Sequence, residues 1–136
     1  MEMTFLLDTN VISEVMKRQP DTAVLAWFHS LQEVVTSAIC LEELVFGLRR
    51  RSAFKKEAWL RRMLADVGSV LPVTDTAAQW SGEKRELLQA RGLTVHQADA
   101  LIAACAWEHG LILATRNSGD FSGFGIPVLN PFEYGG

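Results

Sequence analysis

The chain has 136 residues, of which 49% are hydrophobic and 21% charged, and its formal net charge is −3. Its length fits one domain over residues 1–136, and two cysteines exclude a disulfide-rich secreted scaffold. The longest strongly apolar run, residues 100–107, is far shorter than the roughly 20 residues of a membrane span. No basic segment precedes the first apolar run, so we expect no signal peptide and a cytoplasmic protein with reduced thiols.

Strands and helices are predicted to alternate along the chain. In chain order we predict a strand at 4–7, helices at 11–17 and 21–31, a strand at 33–36, helices at 37–48 and 52–66, a strand at 70–73, helices at 75–90 and 98–108, and strands at 111–114 and 126–129. Pro72 weakens the third strand or places it near an edge. This alternation favours an α/β fold of three layers, with a central parallel sheet between helices.

Two acidic residues follow predicted strands. Asp8 comes directly after the first strand, and Asp120 lies in a polar loop after the fourth. Ligands of parallel sheets bind beyond the carboxyl ends of the strands, so both positions are candidates for a site. Each also has a purely structural interpretation, since Asp8 can cap the next helix and Asp120 is an ordinary turn residue, as is Asn117.

Two further acids lie near the starts of helices. Glu43 shares a helix face with Ile39 and Phe46, whereas Glu42 points about 100° away and is expected to be solvated. Asp99 begins a helix that is apolar nearly all round, where an unpaired charge costs several kcal/mol. The structural alternative for these acids is a favourable interaction with the helix dipole.

Four acids at one sheet edge favour a bound cation. Clustered carboxylates raise one another's pKa values, and a divalent cation relieves that repulsion. Hard oxygen ligands favour Mg²⁺ or Mn²⁺ over Zn²⁺. The histidines do not lie beside a cysteine pair, and Cys40 and Cys105 are predicted in apolar helices, where neither is a good nucleophile.

The charge of −3 conceals a basic segment at 49–62. It carries seven basic residues and one acid, a balance of +6, while the rest of the chain sums to −9. The segment can be a solvated helix face, or it can attract phosphates. Beside a Mg²⁺ site suited to phosphodiester hydrolysis, it indicates a nuclease whose basic arm holds the backbone. The candidate nucleic-acid contacts are Arg49, Arg50, Arg51, Lys55 and Lys56.

Five motifs in order resemble one family. They are Leu7-Asp8-Thr9-Asn10-Val11-Ile12-Ser13-Glu14; Thr36-Ser37-Ala38-Ile39 with Glu43-Leu44 and Gly47; Ala98-Asp99 with Ile102-Ala103-Ala104; Ala114-Thr115-Arg116-Asn117 with Asp120-Phe121; and Val128-Leu129-Asn130-Pro131. Each is weak alone, but the ordered set resembles the PIN-domain toxins of the VapC type, including the FitB-like branch, over nearly the whole chain.

The resemblance implies a PIN-like α/β/α sandwich. It also implies a Mg²⁺-dependent ribonuclease, a homodimer, and inhibition by a cognate VapB-type antitoxin. Carried over by position, the catalytic acids are Asp8, Glu43, Asp99 and Asp120, with Asp8 and Asp99 as the direct metal ligands. Some members of the family place the fourth acid at the position of Asn117. This chain has an amide there, so the resemblance implies that Asp120 supplies the fourth carboxylate and that Asn117 supports it. Thr9, Asn10 and Ser37 are expected to assist by hydrogen bonding.

Two other functional classes are also considered. A receiver-like signalling module needs a lysine after its last strand, but no lysine follows Lys84. A Mg²⁺-dependent phosphatase of small molecules commonly carries a second Asp two residues after its nucleophilic Asp, and position 10 is Asn. Incubation with acetyl phosphate or a small phosphomonoester discriminates both from a nuclease.

Overall fold

A five-stranded parallel sheet forms the centre of the computed structural model, which describes residues 4–135. Its strands are β1 (Phe5–Leu7), β2 (Val34–Ser37), β3 (Gly68–Leu71), β4 (Ile112–Ala114) and β5 (Val128–Leu129). Their spatial order is β3-β2-β1-β4-β5, with every neighbouring pair parallel. The chain therefore moves outward from β1 in both directions, and the order reverses between β1 and β4.

Helices connect the strands. They are α1 (Thr9–Val15), α2 (Thr22–His29), α3 (Ala38–Arg50), α4 (Phe54–Val67), α5 (Asp75–Ala90) and α6 (Gln97–His109), with short 3₁₀ helices at Ser118–Phe124 and Pro131–Glu133. Polar side chains cap several helix starts: Asp21 accepts from the Val24 amide and Thr74 from the Ala77 amide. Gly110 ends α6 at φ 64°, in the left-handed conformation that its lack of a Cβ permits.

The helices cover both faces of the sheet. Leu6 and Leu113 point into one core, which they share with α5 and α6, whereas Leu7 and Ala114 point into the other, formed with α1, α2, α3 and α4. Adjacent strand residues reach opposite cores because side chains alternate along a strand. The predicted three-layer α/β fold with a central parallel sheet is confirmed.

The bounds of several predicted elements shift by a few residues, and two further differences concern the third strand and the segment that carries Asp120. The third strand was expected at 70–73, but β3 ends at Leu71, because Pro72 lacks the N–H that a ladder needs. It is an edge strand, as the proline suggested. The loop expected to carry Asp120 is instead a 3₁₀ helix, and its Phe121 and Phe124 side chains are buried in the core.

No helix within residues 4–135 is both long and apolar enough to cross a bilayer.

Gly68 provides a test of this packing, because α4 passes into β3 there without room for a side chain. A Cβ at Gly68 would lie 2.6 Å from the Leu64 Cα. We expect Gly68→Ala to lower the free energy of unfolding by about 1–3 kcal/mol, the usual cost of overpacking. Gly82→Ala, a matched change in the exposed part of α5 with no atom nearby, should raise it by roughly 1 kcal/mol. Chemical denaturation measures both, and equal effects would contradict the close approach.

Candidate active site

Asp8 lies where the strand order reverses. Its backbone amide donates to the Ala114 carbonyl (2.9 Å), so the first residue after β1 is held against the end of β4. The side chain is buried, with 6% of its surface exposed, and its Oδ1 accepts from the Thr9 amide (2.7 Å), capping α1. The capping and site interpretations of Asp8 are therefore compatible, since one carboxylate oxygen caps and the other faces β4.

Thr115 and Asn10 hold that second oxygen. The Thr115 hydroxyl, directly after β4, donates to Asp8 Oδ2 (2.8 Å), and Asn10 Nδ2 lies 3.4 Å from the same atom. Asn10 Oδ1 in turn accepts from the Arg116 amide (3.1 Å). Thr115 belongs to the motif that begins at Ala114, but it was not among the predicted site residues. Its position directly after β4 could have identified it, because site residues of parallel sheets follow the strands.

Glu43 is joined to the same cluster through Thr9. The Thr9 hydroxyl donates to Glu43 Oε1 (2.6 Å), which links α1 to α3. Ser37 caps α3, because its hydroxyl accepts from the Cys40 amide (3.1 Å). Glu42, one residue before Glu43, is exposed as expected. These contacts bring Thr9 and Glu43 to the side of Asp8.

Asp99 and Asp120 border a small pocket of about 190 Å³. Asp99 lies in the first turn of α6, and Asp120 in the 3₁₀ helix after β4. The pocket is also lined by Thr94, Val95 and His96, none of which was a predicted site residue. His96 is the N-cap residue of α6, and its side chain makes no capping hydrogen bond.

The four carboxylates form one electrostatic group. Burial raises the pKa of Asp8, hydrogen bonds from Thr115 and Thr9 oppose it, and the charges of Asp99 and Glu43 raise it further. Burial also raises the pKa of Asp99, with a smaller lowering by His96 and further raising by Asp120 and Glu43. The metal-free site therefore contains unfavourable negative charge, as expected where several acids converge.

The donor set fits a divalent cation. One oxygen each of Asp8 and Glu43 and the Cys40 sulfur lie within 4.8 Å of one another. Cys40 is fully buried, and its thiol donates to Asp8 Oδ1 (3.8 Å). Cys40 was predicted in an apolar helix and as a poor nucleophile. That prediction did not include this contact, which its place in the first turn of α3 makes possible.

Asn117 and Asp120 occupy different surroundings. The Asn117 amide donates to the Thr115 hydroxyl (3.1 Å), while its side chain is exposed. Asp120 shares the pocket of Asp99 and acts on its pKa.

The same architecture occurs in known proteins. The family model described as "PIN domain" matches residues 5–125. The chain belongs to the PIN domain family. It is 37% identical to a VapC ribonuclease of Sinorhizobium fredii over 94% of this chain and 97% of that protein. It is 36% identical to the toxin FitB of Neisseria gonorrhoeae over 94% of this chain and 98% of that protein.

Solved structures resemble this PIN domain along its length. The crystal structure of FitAcB from Neisseria gonorrhoeae has a TM-score of 0.81 at 35% identity, covering 96% of this chain and 99% of that chain. DNA-bound VapBC from Salmonella typhimurium has a TM-score of 0.80 at 26% identity, with coverages of 96% and 99%. The predicted resemblance is confirmed.

The basic segment of this PIN domain is organised around Glu57. That buried carboxylate accepts from Arg49 Nη2 (3.0 Å) and Arg61 Nε (3.1 Å), so it fastens the end of α3 to α4. Arg50 lies over the Phe46 ring, 5.9 Å from its centroid. Within residues 4–135, Arg51, Lys55 and Lys56 are exposed and form no salt bridge, so these charges remain available.

The raised pKa of Asp8 predicts how stability varies with pH. A carboxyl whose pKa is higher in the folded state binds more protons there, so the stability it supports falls as pH rises from its ordinary value of 3.8 through the raised pKa. Asp8→Asn keeps a capping residue and removes the charge. We expect the metal-free variant to unfold at a higher temperature than the unsubstituted chain at neutral pH, with a difference that shrinks below pH 3.8.

Thermal unfolding of the chelator-treated chains measures this effect. Glu42→Gln is the matched control, because it removes an equal charge from the exposed side of α3. If the difference in unfolding temperature between the Asp8→Asn variant and the unsubstituted chain does not change with pH, the Asp8 charge does not destabilise the metal-free fold.

Proposed function

We propose that this PIN domain is the toxin of a type II toxin–antitoxin pair and that it cleaves RNA phosphodiester bonds with Mg²⁺ or Mn²⁺. What supports the proposal is that Asp8 and Glu43 belong to one group of possible metal ligands, that Asp99 and Asp120 border one pocket, and that the charges of Asp99 and Glu43 act on Asp8. Relatives named as VapC ribonuclease and toxin FitB support the reaction class. They do not favour a receiver module or a small-molecule phosphatase.

In this proposal the carboxylates hold the cation and the neighbouring groups orient them. Asp8 and Asp99 are the direct ligands, and Glu43 and Asp120 complete the acidic set. When bound, the divalent ion activates a water and neutralises charge that develops on the phosphate. Thr115 and Asn10 hold the Oδ2 atom of Asp8, and the Thr9 hydroxyl holds the Glu43 carboxylate on the side of Asp8. Such fixed side chains keep donor atoms in place without reorganisation.

The proposal also covers assembly. We propose that an antitoxin segment lies in the groove between α1, α2 and α4, a feature in keeping with the relatives solved as FitAB and VapBC complexes. The groove is lined by Val15, Met16, Leu25, Phe28, His29, Lys56 and Trp59. Trp27, which lies on α2 beside Phe28, does not line this groove, because it is buried in the core and packs edge-on against Phe5.

We further propose a single domain, a homodimer and action in the cytoplasm, where its RNA substrate is present. The face around Trp107, which stacks on Trp80 with ring centroids 5.0 Å apart and is 43% exposed, is apolar surface that a second copy can cover.

Two pairs of variants test the nuclease assignment. Asp8→Asn and Asp99→Asn should abolish RNA cleavage and growth arrest while leaving the fold intact, because each removes a metal-binding charge. Glu43→Gln should lower the cleavage rate by about 10–100-fold, as loss of an oriented group near a metal does. Glu42→Gln, its exposed neighbour, should cleave like the unsubstituted chain.

Cleavage of a defined RNA, read as new ends by sequencing, measures these rates. Chelation should stop the reaction, and added Mg²⁺ or Mn²⁺ should restore it. Full activity of the Asp8→Asn or Asp99→Asn variant would overturn the assignment.

The basic segment makes a separate prediction. Helix geometry places Arg50 about 10 Å along α3 from Glu43, within reach of a bound strand. Replacing Arg50 and Arg51 with Gln should weaken RNA binding and reduce the slope of log affinity against log salt by about 0.7 for each lost phosphate contact. The measurement uses the Asp99→Asn background, which keeps the RNA intact.

Lys84→Gln is the control for that measurement. Lys84 lies on α5 over Trp80, which packs against the other core of the sheet. If the slope of log affinity against log salt is unchanged in the arginine variant, the basic segment is a solvated helix face that makes no contact with RNA phosphates.

A further inference from the structure

Among the three possible metal ligands Asp8, Cys40 and Glu43, Cys40 is the one that is not a carboxylate. Its sulfur lies 3.8 Å from Asp8 Oδ1, and the Glu43 carboxylate belongs to the same group within 4.8 Å. The first turn of α3 fixes its backbone, because the Cys40 amide is bound to the Ser37 hydroxyl (3.1 Å). The thiol is fully buried, so it faces the carboxylate from the interior of the fold.

The separation of these two atoms suits a shared ion. Zinc bonds are about 2.3 Å to sulfur and about 2.0–2.2 Å to a carboxylate oxygen, so ligands of one ion lie within roughly 4.5 Å of each other. The sulfur and Asp8 Oδ1 meet that limit without any movement. Glu43 supplies a third donor from the next turn of α3.

The Cys40 sulfur contacts a carboxylate oxygen, Asp8 Oδ1, as well as the apolar side chains of the core. A divalent cation bound by this group would replace the thiol proton, which would leave to water, and would offset two of the three negative charges of the thiolate and the two carboxylates. Cys105 differs, because its thiol donates to the Pro72 carbonyl (3.8 Å).

We propose that Cys40, Asp8 and Glu43 form a site with mixed sulfur and oxygen donors that binds thiophilic ions such as Zn²⁺ and Cd²⁺ more tightly than Mg²⁺ or Mn²⁺. Thiolates select soft ions, whereas carboxylates alone suit hard ones. The inference rests on the proposed function in one respect, namely that Asp8 holds a cation. Its consequence is that a thiophilic ion competes with Mg²⁺ for the nuclease site.

Cd²⁺ titration of the reduced, chelator-treated full chain tests the site directly. A thiolate bound to Cd²⁺ gives an ultraviolet charge-transfer band, which requires no enzyme activity. We expect the band to saturate at one Cd²⁺ per chain. The Cys105→Ser variant should keep the band and the Cys40→Ser variant should lose it. Cys40→Ser should weaken Cd²⁺ affinity by about 10–100-fold and leave Mn²⁺ affinity within about threefold, because only the soft ion depends on sulfur.

Calorimetric titration with Mn²⁺ tests whether each variant is folded and keeps its carboxylate site. It also distinguishes failure of the mixed-donor site from failure of the proposed nuclease centre. A band that persists in Cys40→Ser, or that disappears in Cys105→Ser, overturns the inference. If the unsubstituted chain binds Mn²⁺ but shows no cadmium band, the mixed-donor site is wrong and the proposed nuclease centre stands. If the unsubstituted chain binds neither ion, both fail.

Discussion

The pairing of β1 with β4 places the Asp8 carboxylate, and the rest of the site depends on it. The Asp8 amide is bound to the Ala114 carbonyl, so Thr115, one residue later, comes beside the carboxylate and donates to it. A charge that is 94% removed from solvent contact needs such partners, because an unpaired buried charge is costly. The Thr9 amide, the Thr115 hydroxyl and Asn10 supply them.

The remaining acids of the candidate site come from three other elements. Glu43 comes from α3 through the Thr9 hydroxyl, Asp99 from the start of α6, and Asp120 from the 3₁₀ helix after β4. Burial raises the pKa values of Asp8 and Asp99, and the charges of neighbouring acids raise them further, so the fold tolerates this negative charge where a packed apolar group would be more stable. A bound cation relieves the repulsion. In the proposed function, the carboxylates that bind the cation are also the groups that place it for cleavage of the phosphodiester bond.

The opposite charge is concentrated at the corner between α3 and α4. Glu57, the one acid of the +6 segment, accepts hydrogen bonds from Arg49 and Arg61 and so joins the end of α3 to α4. Arg51, Lys55 and Lys56 stay exposed. The net charge of −3 is therefore the sum of +6 in the basic segment and −9 over the rest of the chain, which includes the four acids of the site. The net value alone says little about a nucleic-acid partner.

The sequence by itself determined the layered α/β fold, because alternating apolar strands and amphipathic helices leave few other ways to bury both faces of a sheet. It also determined which acids follow strands or begin buried helices, since that depends on local pattern. The tertiary structure alone decided the contacts of Thr115 and Cys40 with Asp8, because they join residues that are distant along the chain. It also decided that Trp27 is buried and that Glu57 pairs with two arginines, since neither arrangement can be identified from sequence spacing.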